Sequence, residues 1–364
     1  MRVVFDAYWW VSGPPSLRHV LREIVLAWSS LYPADELTLV VRKAHLREAA
    51  KDAPHDARLE PSTLCPQALC AAVTVPAVAA ARSADLVITH NFAAATPALS
   101  AVYLHDALFA TNPEWFTRLE RRYFSLMLRW IRRADIVLTS SESEAHRITE
   151  VTGVRAHAVG LGLSTELTAE SGAWEPDPGL RAGRFVLSVG RLNARKNLSS
   201  VIAGALATGR VTAACPLVIV GSADGRSAPL SAQARAGVAS GAVRFTGHIS
   251  EDRLRWYYGN CAMFVYLSLG EGFGMPPVEA AYFSAPTLVS DLPVFHETLG
   301  GYARYVDPTD VAAIAVAITR GIRDADEHPP PRGTRASRHD WEKTVRAIRD
   351  AADRRLSSRV AVTS

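Results

Sequence analysis

A turn in the second half of the chain carries two cations where they can bind an anion. Residues 186–197 begin as an apolar strand ending at Gly190, and the following loop delivers Arg191 and Lys196 as a helix begins. Backbone N–H groups, the helix dipole and two long donors can converge there on one diphosphate. Taken alone, the pair is equally compatible with a solvated surface. Lysine is otherwise used only at Lys43, Lys51 and Lys343.

A second segment, 268–280, also follows an apolar run and opens a helix whose prolines stand at the permitted first turn. Gly272 and Gly274 allow the backbone to approach a ligand closely and to direct N–H groups toward phosphate oxygens. A carboxylate can accept two hydrogen bonds from a vicinal diol, so one of Glu271 and Glu279 suits a ribose and the other a hexose. The pattern is weak evidence by itself.

The elements that must position these residues alternate between short β-branched runs and longer helix-period segments. This alternation predicts an α/β protein built on parallel sheets. Five strands are predicted in each half: Arg2–Asp6, Glu36–Val41, Leu86–Thr89, Ser100–Leu104, Ile136–Thr139, Phe185–Val189, Leu217–Val220, Val243–Thr246, Met263–Tyr266 and Pro286–Val289.

The turn chemistry of Glu175–Gly179, which contains two prolines, predicts a domain boundary. A triple proline after His328 separates the second domain from a last helix predicted over Trp341–Arg354. The predicted organisation is therefore an N-terminal domain at 1–165, a linker at 166–180, a C-terminal domain at 181–335, a helix at 336–356 and a flexible tail at 357–364.

Length and composition restrict the class of protein. A chain of 364 residues with 48% hydrophobic and 21% charged residues predicts a folded protein of two domains. The net charge of +4, without a Lys/Arg block, gives no indication of nucleic-acid binding. The four cysteines lack metal-like spacing and are predicted to be reduced and mostly buried. No long apolar segment is present, which predicts a cytoplasmic protein that does not span a membrane.

The motifs occur together in one order that resembles a known family. Their sequence resembles that of the group 1 (family 4) retaining glycosyltransferases of GT-B fold, closely over about Arg184–Pro308 and more loosely before it. The matching segments are Val189-Gly-Arg, Lys196-Asn, Val220-Gly-Ser, Phe245-Thr-Gly-His-Ile-Ser, Tyr257-Tyr, Glu271-Gly-Phe-Gly, Glu279-Ala and Val306-Asp-Pro. The resemblance implies two Rossmann-like domains facing across a cleft, with the C-terminal helix crossing back to the first domain.

The resemblance also implies roles for residues of the second half. Arg191 and Lys196 would grip the diphosphate of a nucleotide-sugar donor, Glu279 would hold its ribose and Glu271 would contact the transferred sugar. The loop at His248 and Ile249 would face the base. Backbone groups that line the sugar and phosphates would come from Gly190, Gly272, Phe273, Gly274 and Met275.

In the first half the resemblance implies fewer positions. Gly13 lies in the loop expected near the donor phosphate, although a single glycine followed by two prolines replaces the family's paired glycines. Trp9 and Trp10 are equally compatible with acceptor stacking and with core packing. His105, directly after a strand, occupies the position of a family histidine that touches the donor sugar. Ser141 either lines the cleft or caps a helix.

The implied reaction is transfer of a hexose, with retention of configuration, to a hydroxyl of a saccharide, lipid-linked or small-molecule acceptor. Cations and helix N-termini would stabilise the leaving diphosphate in place of a metal, so neither metal nor cofactor is expected. GDP-mannose or dTDP-rhamnose is the first expectation for the donor, followed by UDP-sugars.

Three alternatives keep the fold: a non-hydrolysing sugar-nucleotide epimerase, a phosphorylase and a catalytically silent binding subunit. An epimerase needs further acid and base groups, and a phosphorylase needs a lysine for its pyridoxal group. The intact pairs of cations and glutamates argue against a silent subunit.

Two further segments have competing explanations. The Arg-rich stretch Trp115–Arg133 is compatible with peripheral contact with an anionic membrane, but an ordinary helix with a solvated basic edge is favoured. Asp324-Ala-Asp326 has the form of a metal-binding motif but ends a predicted surface helix, so no metal site is expected there.

Overall fold

The structure is a computed structural model that describes residues 1–169, 173–190, 193–221, 230–327 and 338–363. It divides into two compact units. Unit 1 comprises Met1–Ser164 and His339–Ser364, and unit 2 comprises Thr165–Arg338. Arg191 lies outside the described residues.

Unit 1 is built on a parallel sheet in which seven strands are described, in the order β3-β2-β1-β4-β5-β6-β7. The strands are β1 Arg2–Asp6, β2 Glu36–Arg42, β3 Arg58–Ser62, β4 Leu86–His90, β5 Leu99–Tyr103, β6 Ile136–Thr139 and β7 Ala156–Ala158. The helices are α1 Pro15–Leu31, α2 Leu46–Asp52, α3 Gln67–Leu69, α4 Val75–Ala81, α5 Leu108–Thr111, α6 Arg118–Trp130 and α7 Glu142–Thr152. The central strands are buried throughout, as expected when a parallel sheet is covered.

Unit 2 repeats this plan with six described strands in the order β10-β9-β8-β11-β12-β13. The strands are β8 Val186–Val189, β9 Leu217–Val220, β10 Val243–Gly247, β11 Met263–Tyr266, β12 Thr287–Ser290 and β13 Arg304–Val306. The helices are α8 Thr165–Thr168, α9 Leu198–Ala207, α10 Ala232–Ala239, α11 Glu251–Asn260, α12 Met275–Tyr282, α13 Pro293–Leu299 and α14 Val311–Glu327. Buried aliphatic residues of β8, β9, β11, α9 and α14 form its core.

All ten predicted strands are confirmed, and the fold class is confirmed as two Rossmann-like α/β units. Three strands were not predicted, and all are at or near sheet edges. β3 contains Pro61 and charged residues, a composition tolerated at an edge. β7 and β13 are three residues long, too short to show a period.

The strand order creates one switch point in each sheet. β1 lies between β2 and β4, and β8 lies between β9 and β11, so the chain leaves toward opposite sides after the first strand of each unit. In such sheets ligands bind beyond the carboxyl ends of the strands at this point. The predicted Gly13 loop follows β1, His105 follows β5, and the two predicted donor loops follow β8 and β11.

The last helix, α15 Trp341–Thr363, belongs to unit 1. The Trp341 indole donates to the Leu163 carbonyl at 2.7 Å, and a Cβ on Gly162 would lie 2.4 Å from that ring. Arg349 pairs with Asp35 at 2.6 Å. This grouping agrees with a C-terminal helix that returns to the first domain.

The helix continues through the stretch predicted to be a flexible tail. Arg359 lies beyond the end predicted for the helix and pairs with Asp135 at 2.6 Å. This ion pair attaches the added turns of the helix to unit 1. The stretch predicted as a linker is partly helical and is grouped with unit 2. There Arg255 donates to the carbonyls of Glu166 and Leu167 at 2.9 and 3.0 Å.

The Arg-rich stretch forms α6, which a reciprocal capping box between Thr117 and Glu120 begins. Its apolar side packs through Phe124 and Met127 into the core of unit 1. The exposed arginines of the stretch are Arg118, Arg121, Arg122, Arg129, Arg132 and Arg133. In the described ranges, no helix combines the length and apolar character needed to cross a bilayer.

Asp324 and Asp326 are used in ion pairs on α14. Asp324 pairs with Arg304 at 2.7 Å, and Asp326 pairs with Arg184 at 2.7 Å. Cys70, Cys215 and Cys261 are buried free thiols, as predicted, and Cys65 is an exposed one.

Candidate active site

The loop after β8 places Lys196 beside the end of the strand. The side chain of Asn193 accepts a hydrogen bond from the Lys196 backbone N–H at 3.2 Å and starts a 3-10 turn over Ala194–Lys196. Asn197, in the left-handed conformation, then begins α9. The Lys196 stem passes Gly190, where an added Cβ would lie 3.6 Å from Lys196 Cε.

The loop between β11 and α12 is held against the first loop. The Leu269 N–H donates to the Arg195 carbonyl at 2.8 Å, so the backbones of the two loops are joined. Gly274 adopts a φ of +88°, and a Cβ there would lie 2.5 Å from the Phe295 ring. A larger residue would therefore be both strained and obstructed at the start of α12.

The two loops meet in a cluster of charges around Glu271, a residue that is 6% exposed. Lys196 Nζ lies 2.6 Å from Glu271 Oε1, and Arg195 Nη1 lies 2.8 Å from Oε2. The Tyr266 hydroxyl donates to Oε1 at 3.0 Å and accepts a hydrogen bond from Lys196. Two cations and one carboxylate leave a net positive charge at the switch point of unit 2.

The two glutamates have opposite pKa shifts. Burial alone would raise the pKa of Glu271, but the charges of Arg195 and Lys196 outweigh it and hold the value at about 2. Burial raises the pKa of Glu279 to about 7, although the Tyr258 hydroxyl donates to its Oε2 at 2.8 Å. Glu271 is therefore an anion at neutral pH, whereas Glu279 changes charge near neutral pH.

In unit 1 a buried polar group stands at the switch point. Asp6, at the end of β1, accepts a hydrogen bond from Gln67 Nε2 at 2.8 Å, and the same nitrogen donates to the His90 carbonyl at 3.0 Å. Burial raises the pKa of Asp6 to about 6. The oxygen of Gln67 accepts from the Trp9 indole at 2.8 Å.

His105 is paired with another histidine at this edge. His90 ends β4, His105 follows β5, and their rings stack with centroids 5.4 Å apart. His90 Nδ1 and His105 Nε2 are 3.2 Å apart. Burial lowers the pKa of His90 to about 4; burial and the His90 charge hold the pKa of His105 well below its usual value. Both rings are neutral at pH 7.

The loop after β1 is shaped by its aromatic residues. A Cβ on Gly13, whose φ is +127°, would lie 2.1 Å from the Trp9 ring, so Gly13 has a packing role. Trp10 is 1% exposed and anchors the core, which favours the core alternative for this residue. A phosphate contact by Gly13 stays a prediction.

The remaining predicted positions are less informative. In unit 2, His248 is exposed and Ile249 is partly buried after β10, and a base contact there stays a prediction. Ser141 accepts from the Glu144 N–H at 3.1 Å and caps α7, which supports the capping alternative.

Sequence reasoning missed Arg195, Tyr266 and His90. Arg195 precedes Lys196, and His90 and Tyr266 each end a strand that faces the switch point. The positions of His90 and Tyr266 at strand ends were the available signal.

Fold and charge thus define a two-unit α/β protein with a positively charged cluster at the switch-point edge of unit 2. Residues 176–346 match the family model of glycosyl transferases group 1. The chain is 26% identical over 253 residues to the serotype-specific mannosyltransferase WbdA of Escherichia coli, covering 65% of this chain and 31% of that protein. It is 28% identical over 251 residues to the O-antigen chain mannosyltransferase B of Escherichia coli, covering 65% of this chain and 66% of that protein.

The matches therefore span less than two thirds of either relative. The fold resembles that of a sucrose-phosphate synthase from Thermosynechococcus elongatus, with a TM-score of 0.60, 16% identity and 100% of both chains covered. Together these findings support a group 1 glycosyltransferase of GT-B fold.

Proposed function

We propose that the protein transfers a mannosyl group from GDP-mannose to a hydroxyl of a saccharide or lipid-linked acceptor, with retention and without a metal ion. The names of the two mannosyltransferase relatives support mannose over the other hexoses. dTDP-rhamnose is the next donor in this proposal, followed by UDP-sugars.

The observation that carries the proposal is the cluster of Arg195, Lys196 and Glu271 at the switch-point edge of unit 2. Lys196 is a cation for the diphosphate, since an ammonium group has three N–H donors and can bridge a carboxylate and a phosphate oxygen. Glu279, in the first turns of α12, provides a carboxylate for a diol. Gly272 and Gly274, between Glu271 and Glu279, allow the backbone of the loop to approach the ligand closely.

Breaking the anomeric bond places negative charge on the departing diphosphate and positive character on the sugar ring. Lys196, the backbone N–H groups at the start of α9 and those of Gly274 and Met275, which precede the two prolines of α12, stabilise that negative charge. A metal ion has this role in other transferases. The acceptor oxygen forms the new bond to the anomeric carbon on the face from which the diphosphate departs, and this keeps the configuration. The proton of the acceptor hydroxyl passes to the departing phosphate oxygen.

The exposed guanidinium groups of α6 support a further part of the proposal, peripheral contact with anionic lipid. A lipid-linked acceptor would be presented at such a surface. Sedimentation with anionic and with neutral vesicles tests this contact.

Purified protein incubated with GDP-mannose and mannose-terminated saccharides is expected to release GDP and form an α-linked product. The rate is expected to persist in EDTA because the cations in the site belong to the protein. Product detection by mass spectrometry and anomeric assignment by NMR check both points. Complete loss of transfer in EDTA, restored by manganese or magnesium, would contradict metal independence, and a β-linked product would contradict retention.

The Glu279→Gln variant is expected to bind GDP about 10- to 100-fold more weakly than wild type at pH 8. Only the ionised carboxylate accepts both hydrogen bonds of the ribose diol, and its pKa is about 7. The difference should therefore shrink at pH 6, where the wild-type carboxylate is mostly protonated. Isothermal titration at both pH values measures it.

A matched ligand separates the diol from the phosphates. With 2′,3′-dideoxy-GDP, wild type and variant should bind almost equally, since no diol remains. Ionisation of the phosphates affects both proteins alike and cancels in the comparison. An equal pH dependence of GDP affinity in the two proteins would remove Glu279 from the ribose site.

A further inference from the structure

The two histidines of unit 1 differ in their surroundings. His90 is 2% exposed, and its Nε2 is buried with no hydrogen-bond partner among the described residues. His105 is partly exposed. The contact between them joins Nδ1 of His90 to Nε2 of His105 at 3.2 Å.

A neutral imidazole carries one N–H, so only one ring can donate in this contact. If His105 donated from Nε2, the proton of His90 would have to be on Nε2, leaving a buried N–H without an acceptor. If His90 donates from Nδ1, its Nε2 keeps a lone pair instead. Buried N–H groups without partners are rarer than buried acceptors without partners, so the second arrangement is favoured.

The position of His90 is fixed independently of its ring. Gln67 Nε2 donates to the His90 carbonyl at 3.0 Å and to Asp6 at 2.8 Å, which attaches this backbone to the end of β1. Tyr103 packs edge-on against the His105 ring, with centroids 4.8 Å apart. The pair therefore has one defined geometry at the switch point.

We propose that His90 is a positioning residue that donates from Nδ1 to Nε2 of His105 and fixes His105 in the tautomer protonated at Nδ1. No described residue takes a hydrogen bond from His105 Nδ1. His105 thus presents the N–H of a neutral ring. This N–H can donate a hydrogen bond to the oxygen of a sugar hydroxyl, but it cannot act as a base that removes a proton. This use of the N–H rests on the proposed function, whereas the tautomer does not.

The first test detects the tautomer without activity. In a long-range ¹H–¹⁵N NMR spectrum of the full chain, the signals of His105 are identified by their loss in His105→Ala. Nδ1 is expected to be protonated and Nε2 unprotonated at pH 7. Protonation of His105 at Nε2, or a positively charged ring, would overturn the proposal, whether or not sugar transfer is found.

The second test uses two substitutions of His90. His90→Phe keeps a ring of similar size but removes the donor, and His90→Asn keeps an amide N–H near the place of Nδ1. The Phe variant is expected to lower kcat on the order of 10- to 100-fold, with little change in GDP affinity, because misplacing a group that contacts the substrate can cost this much. The Asn variant should recover most of that loss.

A double variant shows whether His90 acts through His105. His90→Phe combined with His105→Ala should be no slower than His105→Ala alone, since interactions in one chain of contacts are not additive. Additive losses, or a Phe variant as active as wild type, would overturn the proposal. If the Phe variant does not fold, the wild-type tautomer and the Asn variant still decide between the outcomes.

Discussion

Lys196→Met is expected to lower kcat for sugar transfer by about 10²- to 10³-fold, the loss seen when one fixed donor to a developing anion is removed. Methionine keeps an unbranched stem over Gly190 and beside the Tyr266 ring, so the change mainly removes the ammonium group. Steady-state rates with GDP-mannose and a saturating acceptor measure the effect. GDP affinity should fall as well.

The matched control is Lys51→Met, the same change at an exposed lysine near the end of α2 in unit 1. It should leave kcat within about twofold of wild type, because most exposed substitutions alter little. A fall of less than about tenfold in Lys196→Met, with its fold intact by circular dichroism, would contradict the role of Lys196 at the diphosphate.

Glu271→Gln is expected to destabilise the protein at pH 7 by about 3–5 kcal/mol, since it leaves two largely buried cations without their anion. The folded pKa of about 2 lies below the ordinary 4.5, so the ionised carboxylate stabilises the fold above pH 4.5. This contribution is lost as the pH falls from about 4.5 toward 2. The difference between the two pKa values corresponds to about 3 kcal/mol.

Chemical denaturation of wild type and variant at pH 7 and pH 3 measures this effect. The difference in the free energy of unfolding between wild type and variant should be smaller at pH 3. At that pH wild type loses part of the stabilisation by the ionised Glu271 carboxylate, which the variant lacks at every pH. Glu327→Gln, at an exposed glutamate of α14, is the control and should show a gap near zero at both values. A constant gap would mean that Glu271 acts through packing and not through its charge.

The ionic cluster gives Glu271 a structural role beside its predicted functional one. Its carboxylate joins the loop after β8 to the loop after β11. Its contact with the transferred sugar stays a prediction. One residue can do both, because a carboxylate has two oxygens with about four lone-pair sites. Arg195 further ties the loops by donating to the Gly270 carbonyl at 3.0 Å.

The amino-acid sequence by itself determined the ten main strands, the class of fold and the loops that carry the predicted donor-side residues. These features are local: a buried parallel strand is a short β-branched run, and Pro276 and Pro277 stand where proline is permitted, in the first turn of a helix. The family was suggested by the whole series of motif segments in one order, from Val189-Gly-Arg to Val306-Asp-Pro.

Only the tertiary structure decided which side chains meet. Strands β8 and β11 are neighbours in the sheet although β9 and β10 lie between them in the chain, so the pairing of Arg195 and Lys196 with Glu271 spans 75 to 76 positions. His90 and His105 are likewise brought together by the pairing of β4 with β5. No local pattern encodes such contacts, because they depend on the order of the strands in the sheet. Burial is likewise a property of the folded chain, and it sets the charge of Glu279 and the neutrality of the two histidines.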